Sequence, residues 1–174
     1  MQADLRWNAH VDHMVKKGGM RLFLLRKLKA FRLPTEDLVT IYTSYVRPVC
    51  EFAVPAWHPG LTQAQRNQLE KIQRRALRTI LGKSYTHYAD ACLLLGLETL
   101  ELRRDHLCLA FARKLLQSHE CRHWFPPRRG DISGRKTRSS SKPDSFRTTT
   151  ERFKKSPMPY MAMLLNNVDS ASSL

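Results

Sequence analysis

The chain has 174 residues, with 30 Lys plus Arg against 15 Asp plus Glu, for a net charge of +15. This length suits one domain, or one small domain with a tail, and the charge points to a polyanionic partner rather than to a particular fold. No apolar run reaches the roughly 18 to 20 residues of a membrane-spanning helix, and the stretch from Met1 to Trp7 lacks a leader's apolar segment, so an intracellular protein, nuclear or cytoplasmic, with no membrane partner is expected.

Residues 7–32 read as a helix, because Trp7, Val11, Met14, Val15, Leu22, Leu25 and Leu28 recur at three- and four-residue steps. Gly18-Gly19 interrupts that pattern and predicts a kink or a close helix crossing. Pro34 ends the element. Thr35 reads as the N-cap of a second helix, with Glu36 and Asp37 in its first turn. Leu38, Ile41, Tyr42, Tyr45, Val49 and Phe52 form its stripe, and Pro48 should bend it by removing the bond to the Ser44 carbonyl.

Thr62 opens the clearest helix, 62–81. Leu69, Ile72, Ala76 and Ile80 share one face, and Lys71, Arg74, Arg75 and Arg78 share the opposite one. Gly82 stops it. A short helix is expected over 86–95, ended by Gly96. The last long helix covers 98–118, with Leu100, Leu107, Phe111 and Leu115 on one side and Leu102, Leu109 and Leu116 on another. A helix apolar on two sides is sandwiched in a core or docked on a partner. Residues 128–150, rich in Ser, Arg, Lys and Thr, have too little apolar surface to offset ordering entropy and are expected to be disordered. Residues 157–166 carry a small apolar patch suited to docking back on the helices.

The expected fold is therefore all-α, an irregular bundle of four to five helices with a basic, largely disordered C-terminal tail. The domain reading is 1–122 helical, 123–156 a basic Pro/Ser/Arg-rich segment, and 157–174 a short terminal helix or tail. The expected core includes Trp7, Leu25, Tyr42, Tyr45, Trp57, Leu69, Ile72, Ile80, Leu107 and Phe111.

Arg outnumbers Lys, 19 to 11. Its planar fork suits phosphate better than a point charge does, which favours nucleic acid as the partner. The basic segments are 1–34, 62–83 and 120–174. Within 62–83 the four cations Lys71, Arg74, Arg75 and Arg78 have little acid nearby and repel one another. A charge run is usually only a solvated face, but this one would gain from a polyanion, so these four are the candidate contacts to an RNA or DNA backbone.

Catalytic and metal motifs weigh less. The four cysteines, Cys50, Cys92, Cys108 and Cys121, are widely spaced and read as reduced thiols. His119, Cys121 and His123 lie at i, i+2 and i+4, without the paired spacing of a structural zinc site. Tyr88-Ala89-Asp90-Ala91 superficially matches the Tyr/Phe-Ala-Asp-Asp turn of reverse transcriptases. Two-metal phosphoryl transfer needs paired carboxylates, and the second is Ala91 here. No Gly-rich phosphate loop is present. No catalytic residue, metal, cofactor or small-molecule substrate is expected.

Five motifs in order resemble a known family. They are Trp7-x-x-His10-Val11; Ile41-Tyr42-x-Ser44-Tyr45-Val46-Arg47-Pro48-Val49-Cys50-Glu51-Phe52-Ala53 with Pro55-Ala56-Trp57; Leu69-Glu70-x-Ile72-Gln73-Arg74-Arg75-Ala76-Leu77-Arg78; Leu95-Gly96-Leu97-Glu98-x-Leu100-x-x-Arg103-Arg104; and, near the C-terminus, Arg152-Phe153-x-x-Ser156-Pro157-Met158-Pro159-Tyr160. Together they resemble the region after the polymerase palm in reverse transcriptases of LINE or jockey-like non-LTR retrotransposons, RNA-directed DNA polymerases of transposable elements. In that family the catalytic aspartates lie upstream of the Trp-x-x-His stretch. The resemblance therefore implies a non-catalytic, thumb-like remnant that contacts nucleic-acid backbone, with the palm and fingers of the same element as a further partner. The alternative is a helical protein-interaction module that binds no nucleic acid. Trp7 to Trp57 is also similar to the N-terminal segment of AlkB-type alkylation-repair proteins. His10-Val11-Asp12 matches an AlkB dioxygenase's His-x-Asp by letters, but it lies on a predicted helix and lacks the barrel strands that such an iron site needs.

Overall fold

The computed structural model describes residues 7–134 and 140–171. The fold is all-α: among the described residues the only extended pairing is an isolated antiparallel bridge between Arg128 and Pro143. Its contacts divide the chain into two units. One comprises the residues up to Val54 with Leu61–Arg104, and the other comprises Pro55–Gly60 with the residues from Asp105 onward.

The first unit is built on two long helices, α1 (Asn8–Ala30) and α4 (Gln63–Leu81), with α2 (Thr35–Ile41) after α1; all of the short α3 (Val54–Trp57) but Val54 belongs to the second unit. Gly18-Gly19 does not break α1. It marks a close crossing: a Cβ built on Gly18 would sit 3.0 Å from Ile72 Cδ1 of α4, whereas one on Gly19 meets nothing within 4 Å. Val11, Met14, Leu22 and Leu25 of α1 are buried, as are Leu69, Ile72, Leu77 and Ile80 of α4. At the far end of the crossing Lys29 Nζ donates to the Ile80 carbonyl at 2.8 Å, satisfying an orphan acceptor in the last turn of α4.

The expected second helix is shorter than its pattern. Pro34, not Thr35, is the N-cap, and Thr35 is already helical, with no side-chain cap bond. After Ile41 the backbone widens into a π turn at Tyr42–Val46 and tightens into a 3₁₀ turn at Arg47–Cys50. Thr43 and Ser44 hydroxyls donate to the Thr40 carbonyl at 3.0 and 2.7 Å, and Pro48 cannot continue the regular ladder. A π turn adds one residue per turn and so rotates everything after it. Val46, Val49 and Cys50 become the buried set with Tyr42, while Tyr45 and Phe52 are 42% and 74% exposed. The expectation that Tyr45 is core is therefore corrected.

Thr62 begins α4 with a capping box: its hydroxyl accepts from the Gln65 amide at 3.3 Å, and Gln65 Oε1 accepts from the Thr62 amide at 2.8 Å. Gly82 ends it at φ 56, a conformation costly for any residue with a Cβ. α5 (Tyr88–Leu94) follows, and α6 (Leu100–Gln117) begins in this unit.

α6 does not have two equivalent apolar faces. The buried positions are Leu100, Arg104, Cys108, Leu109, Ala112 and Leu115, mostly at steps of four. Leu102 and Phe111 are 47% and 40% exposed, and Leu107 is half-buried, so Phe111 and Leu107 are not the core residues expected. Trp7 is also only half-buried.

In the second unit the buried apolar residues are Trp57, Cys108, Leu109, Ala112, Leu115, Phe125, Met161 and Ala162. Part of the segment expected to be disordered is regular. Arg129–Ser133 forms α7, closed by Gly134 at φ 65, and Gly130 N donates to Ser140 O at 3.0 Å. Residues 135–139 of that segment, and 172–174 of the terminal one, lie outside the described residues. α8 (Glu151–Lys154) and α9 (Pro157–Ala171) follow. The apolar patch at 157–166 is the first part of α9 and does dock back: Pro159, Met161 and Ala162 are buried, and Tyr160 Oη donates to Asp105 Oδ1 at 2.6 Å. The same carboxylate oxygen lies 2.8 Å from Nε2 of the fully buried His58.

Candidate nucleic-acid interface

The four residues singled out in the sequence, Lys71, Arg74, Arg75 and Arg78, are all exposed on α4. The spacing i, i+3, i+4, i+7 puts them on one face over about 10 Å of helix axis. Leu69, Ile72, Gln73, Ala76, Leu77 and Ile80 hold the other face in the core. The helix thus has a fixed orientation in which the cations cannot turn inward.

Two of the four guanidinium groups rest on aromatic rings that the sequence reading did not assign to the site. Arg74 Cζ lies 4.9 Å from the centre of the Tyr88 ring, and Arg78 Cζ lies 5.1 Å from that of Tyr85. Such stacking is worth about 0.5–1 kcal/mol at an exposed site. Its larger effect is to restrict two long side chains before a ligand arrives, leaving the N–H edges of the guanidinium groups for a phosphate. The available signal was the run Tyr85-Thr86-His87-Tyr88 immediately after α4. Reading it needs the turn at Gly82–Ser84, which folds the run back beside the helix.

Tyr88 is itself held from below. Its hydroxyl donates to Glu70 Oε1, and burial, followed by that hydrogen bond, pushes its phenol far above the ordinary tyrosine range. Glu70 is the only acid on α4, and it points inward rather than into the basic face. Besides Tyr88 it accepts from the Leu100 amide at 3.0 Å and pairs through Oε2 with Arg104 at 3.8 Å. The Arg104 side chain is completely buried, and that burial lowers its proton affinity, an effect that Glu70 opposes. Inward, then, lies a compensated charge pair; outward lie four cations with no acid of their own helix among them.

The other candidate chemistry does not assemble. Asp90 is an exposed residue of α5 that accepts from Thr86 Oγ1 at 3.2 Å, and Tyr88-Ala89-Asp90 is helical rather than a turn between strands. His10-Val11-Asp12 lies on α1, with Val11 fully buried. Among the described residues no three His, Cys, Asp or Glu side chains are placed to hold one metal ion. Cys50, Cys92 and Cys108 are buried, and burial pushes the Cys50 thiol up to about 12.

Residues 7–47 match the family model described as alkylated DNA repair protein alkB homolog 8, N-terminal. The matched stretch is α1, α2 and the π turn that follows, so it ends before the basic helix α4. No curated protein and no solved structure matches the chain. No described helix is long and apolar enough to cross a membrane.

Proposed function

We propose that this chain is a non-catalytic helical module that binds the sugar-phosphate backbone of RNA or DNA without reading its sequence, and that it descends from the thumb-like region of a non-LTR retrotransposon reverse transcriptase. One observation carries the binding half: Lys71, Arg74, Arg75 and Arg78 form an outward-facing strip, two of them pre-placed on Tyr88 and Tyr85, while Glu70 is turned into the core. The order of the five sequence motifs supports the origin. A strip of point charges and forks on a helix face grips phosphates and positions a duplex; it offers no pattern of donors and acceptors matched to base edges. The reading has no catalytic step, because Asp90 has no carboxylate neighbour in sequence with which to hold two metals.

The test is salt-dependent binding of the full chain to a generic duplex, compared with the variant in which all four residues are Gln. Four phosphate contacts contribute a slope of about −3.6 in log K against log salt. The variant should bind more weakly on every sequence and lose about that much slope while keeping its helical circular dichroism. Equal affinity and slope in the two proteins overturn the reading. The protein-interaction reading would then stand in its place, favoured by Leu93, Leu94 and Leu102, which are 85%, 67% and 47% exposed. Primer extension by the purified chain that disappears in Asp90→Asn would overturn its non-catalytic half.

A further inference from the structure

A second basic site lies on the other helix of the first unit. Along one flank of α1, His10, His13, Lys17 and Arg21 follow one another at steps of three and four residues, over about 16 Å of axis. They form one wall of a groove of about 490 Å³. Met14 contributes to its base, and Pro48, Val49 and Phe52, placed by the 3₁₀ turn at Arg47–Cys50, form the opposite wall. No Asp or Glu is among the described residues that line it.

The two walls differ in chemistry. Arg21 is already oriented: its guanidinium donates to the Tyr45 carbonyl of the π turn and lies 4.4 Å from the Tyr45 ring centre. His10 sits edge-on to Trp7, ring centres 5.8 Å apart. Burial, then the neighbouring His13, holds His10 below the ordinary histidine range, so it offers a neutral ring at pH 7, and Lys17 and Arg21 supply fixed charge. The facing wall is apolar and ends in the broadly exposed Phe52 ring. A groove of this size with cations on one side and Pro48, Val49 and the Phe52 ring on the other suits a ligand that is anionic at one end and planar at the other. An inorganic anion would leave the apolar wall unused, and a plain hydrocarbon would leave the charges unused.

We propose that this groove binds an unpaired nucleotide, with its phosphate on the Lys17 and Arg21 side and its base against Phe52. The nucleotide is either free or part of a single strand; the shared chemistry is a phosphate tied to an unstacked base. This is a different contact from that of α4, which takes backbone alone, and the two can be separated by mutation.

The experiment measures the anisotropy of a labelled single-stranded oligothymidylate bound to the full chain, with adenosine monophosphate and inorganic phosphate as competitors. Phe52→Ala should weaken binding of the strand about tenfold, as loss of one base–aromatic stack does, while Phe52→Tyr keeps it. Lys17→Gln should weaken it and flatten its salt dependence. Phe52→Ala should leave binding to a fully paired duplex unchanged, whereas the α4 quadruple variant should weaken that binding. Competition by adenosine monophosphate well beyond that of inorganic phosphate identifies a free-nucleotide site; binding of the strand alone, with the Phe52 dependence, identifies a single-strand site. If Phe52→Ala binds the strand as the parent does, or inorganic phosphate displaces the strand and does so as effectively as adenosine monophosphate, the groove proposal fails while the α4 reading stands. If the α4 variant retains full duplex binding but Phe52→Ala loses the strand, the α4 reading fails and the groove proposal stands.

Discussion

Replacing Glu70 by Gln removes one charge from the core and almost nothing else. The amide keeps a carbonyl oxygen for the Leu100 amide and the Tyr88 hydroxyl, both of which Glu70 Oε1 serves. What it cannot do is balance Arg104, whose side chain is completely buried. Breaking a buried pair by neutralising one partner costs about 3–5 kcal/mol. The 3.8 Å separation argues for the lower end, so about 3 kcal/mol is expected. That is a large part of the ~5–15 kcal/mol by which most domains are stable. In guanidinium chloride, where slopes run about 2–6 kcal/mol per molar, the midpoint should fall by roughly 1 M. Adding Arg104→Met removes the cation that Glu70 balanced and fills much of its space, so the double variant should regain most of the loss. Far-ultraviolet circular dichroism of both variants and the parent across a guanidinium series measures this. A single variant that loses less than about 1 kcal/mol, or a double variant no better than the single, would refute the view that Arg104 depends on Glu70.

Gly19→Ala should stabilise the protein by about 1 kcal/mol through helix propensity, since a Cβ there meets nothing, whereas Gly18→Leu should cost about 1–3 kcal/mol by driving α1 off Ile72; paired thermal melts compare them. Thr62→Ala should cost about 1 kcal/mol by removing half of the capping box, and unchanged stability would show that the cap adds nothing. In the second unit, Tyr160→Phe should loosen α9 by about 1 kcal/mol through loss of its hydrogen bond to Asp105, read as faster amide exchange in that helix. Native protein at pH 8 should react with a maleimide at Cys121 and not at Cys50, because the raised Cys50 thiol stays protonated. The sign for stability follows from the same shift: the Cys50 contribution is intact below pH 9 and is lost as pH rises through about 12, so early denaturation in mild acid would not be its signature.

Much of this fold was legible in the chain because helices announce themselves locally. The three-and-four-residue apolar steps gave α1, α4 and α6, Thr62 gave the start of α4, and Gly82 its end, each decided by residues within one or two turns; the Gln65 half of the capping box came only with the structure. The α4 cations were readable for the same reason, since opposite faces of one helix are fixed by its period. What the local pattern could not decide was anything set by a partner far along the chain. Pro48 foretold a disruption, but the π turn that relieves it rotated Tyr45 outward, where Arg21, 24 residues away, engages its carbonyl and ring. Nothing beside Arg104 in the chain marks it as buried; the carboxylate that pairs with it, Glu70, comes from another helix. Tyr85 and Tyr88 looked like parts of a short helix and its lead-in; only the backbone reversal at Gly82 sets their rings against Arg78 and Arg74. Period and capping are short-range energies carried by neighbouring residues, whereas charge compensation and ring stacking depend on side chains that only the packing of separate helices brings together.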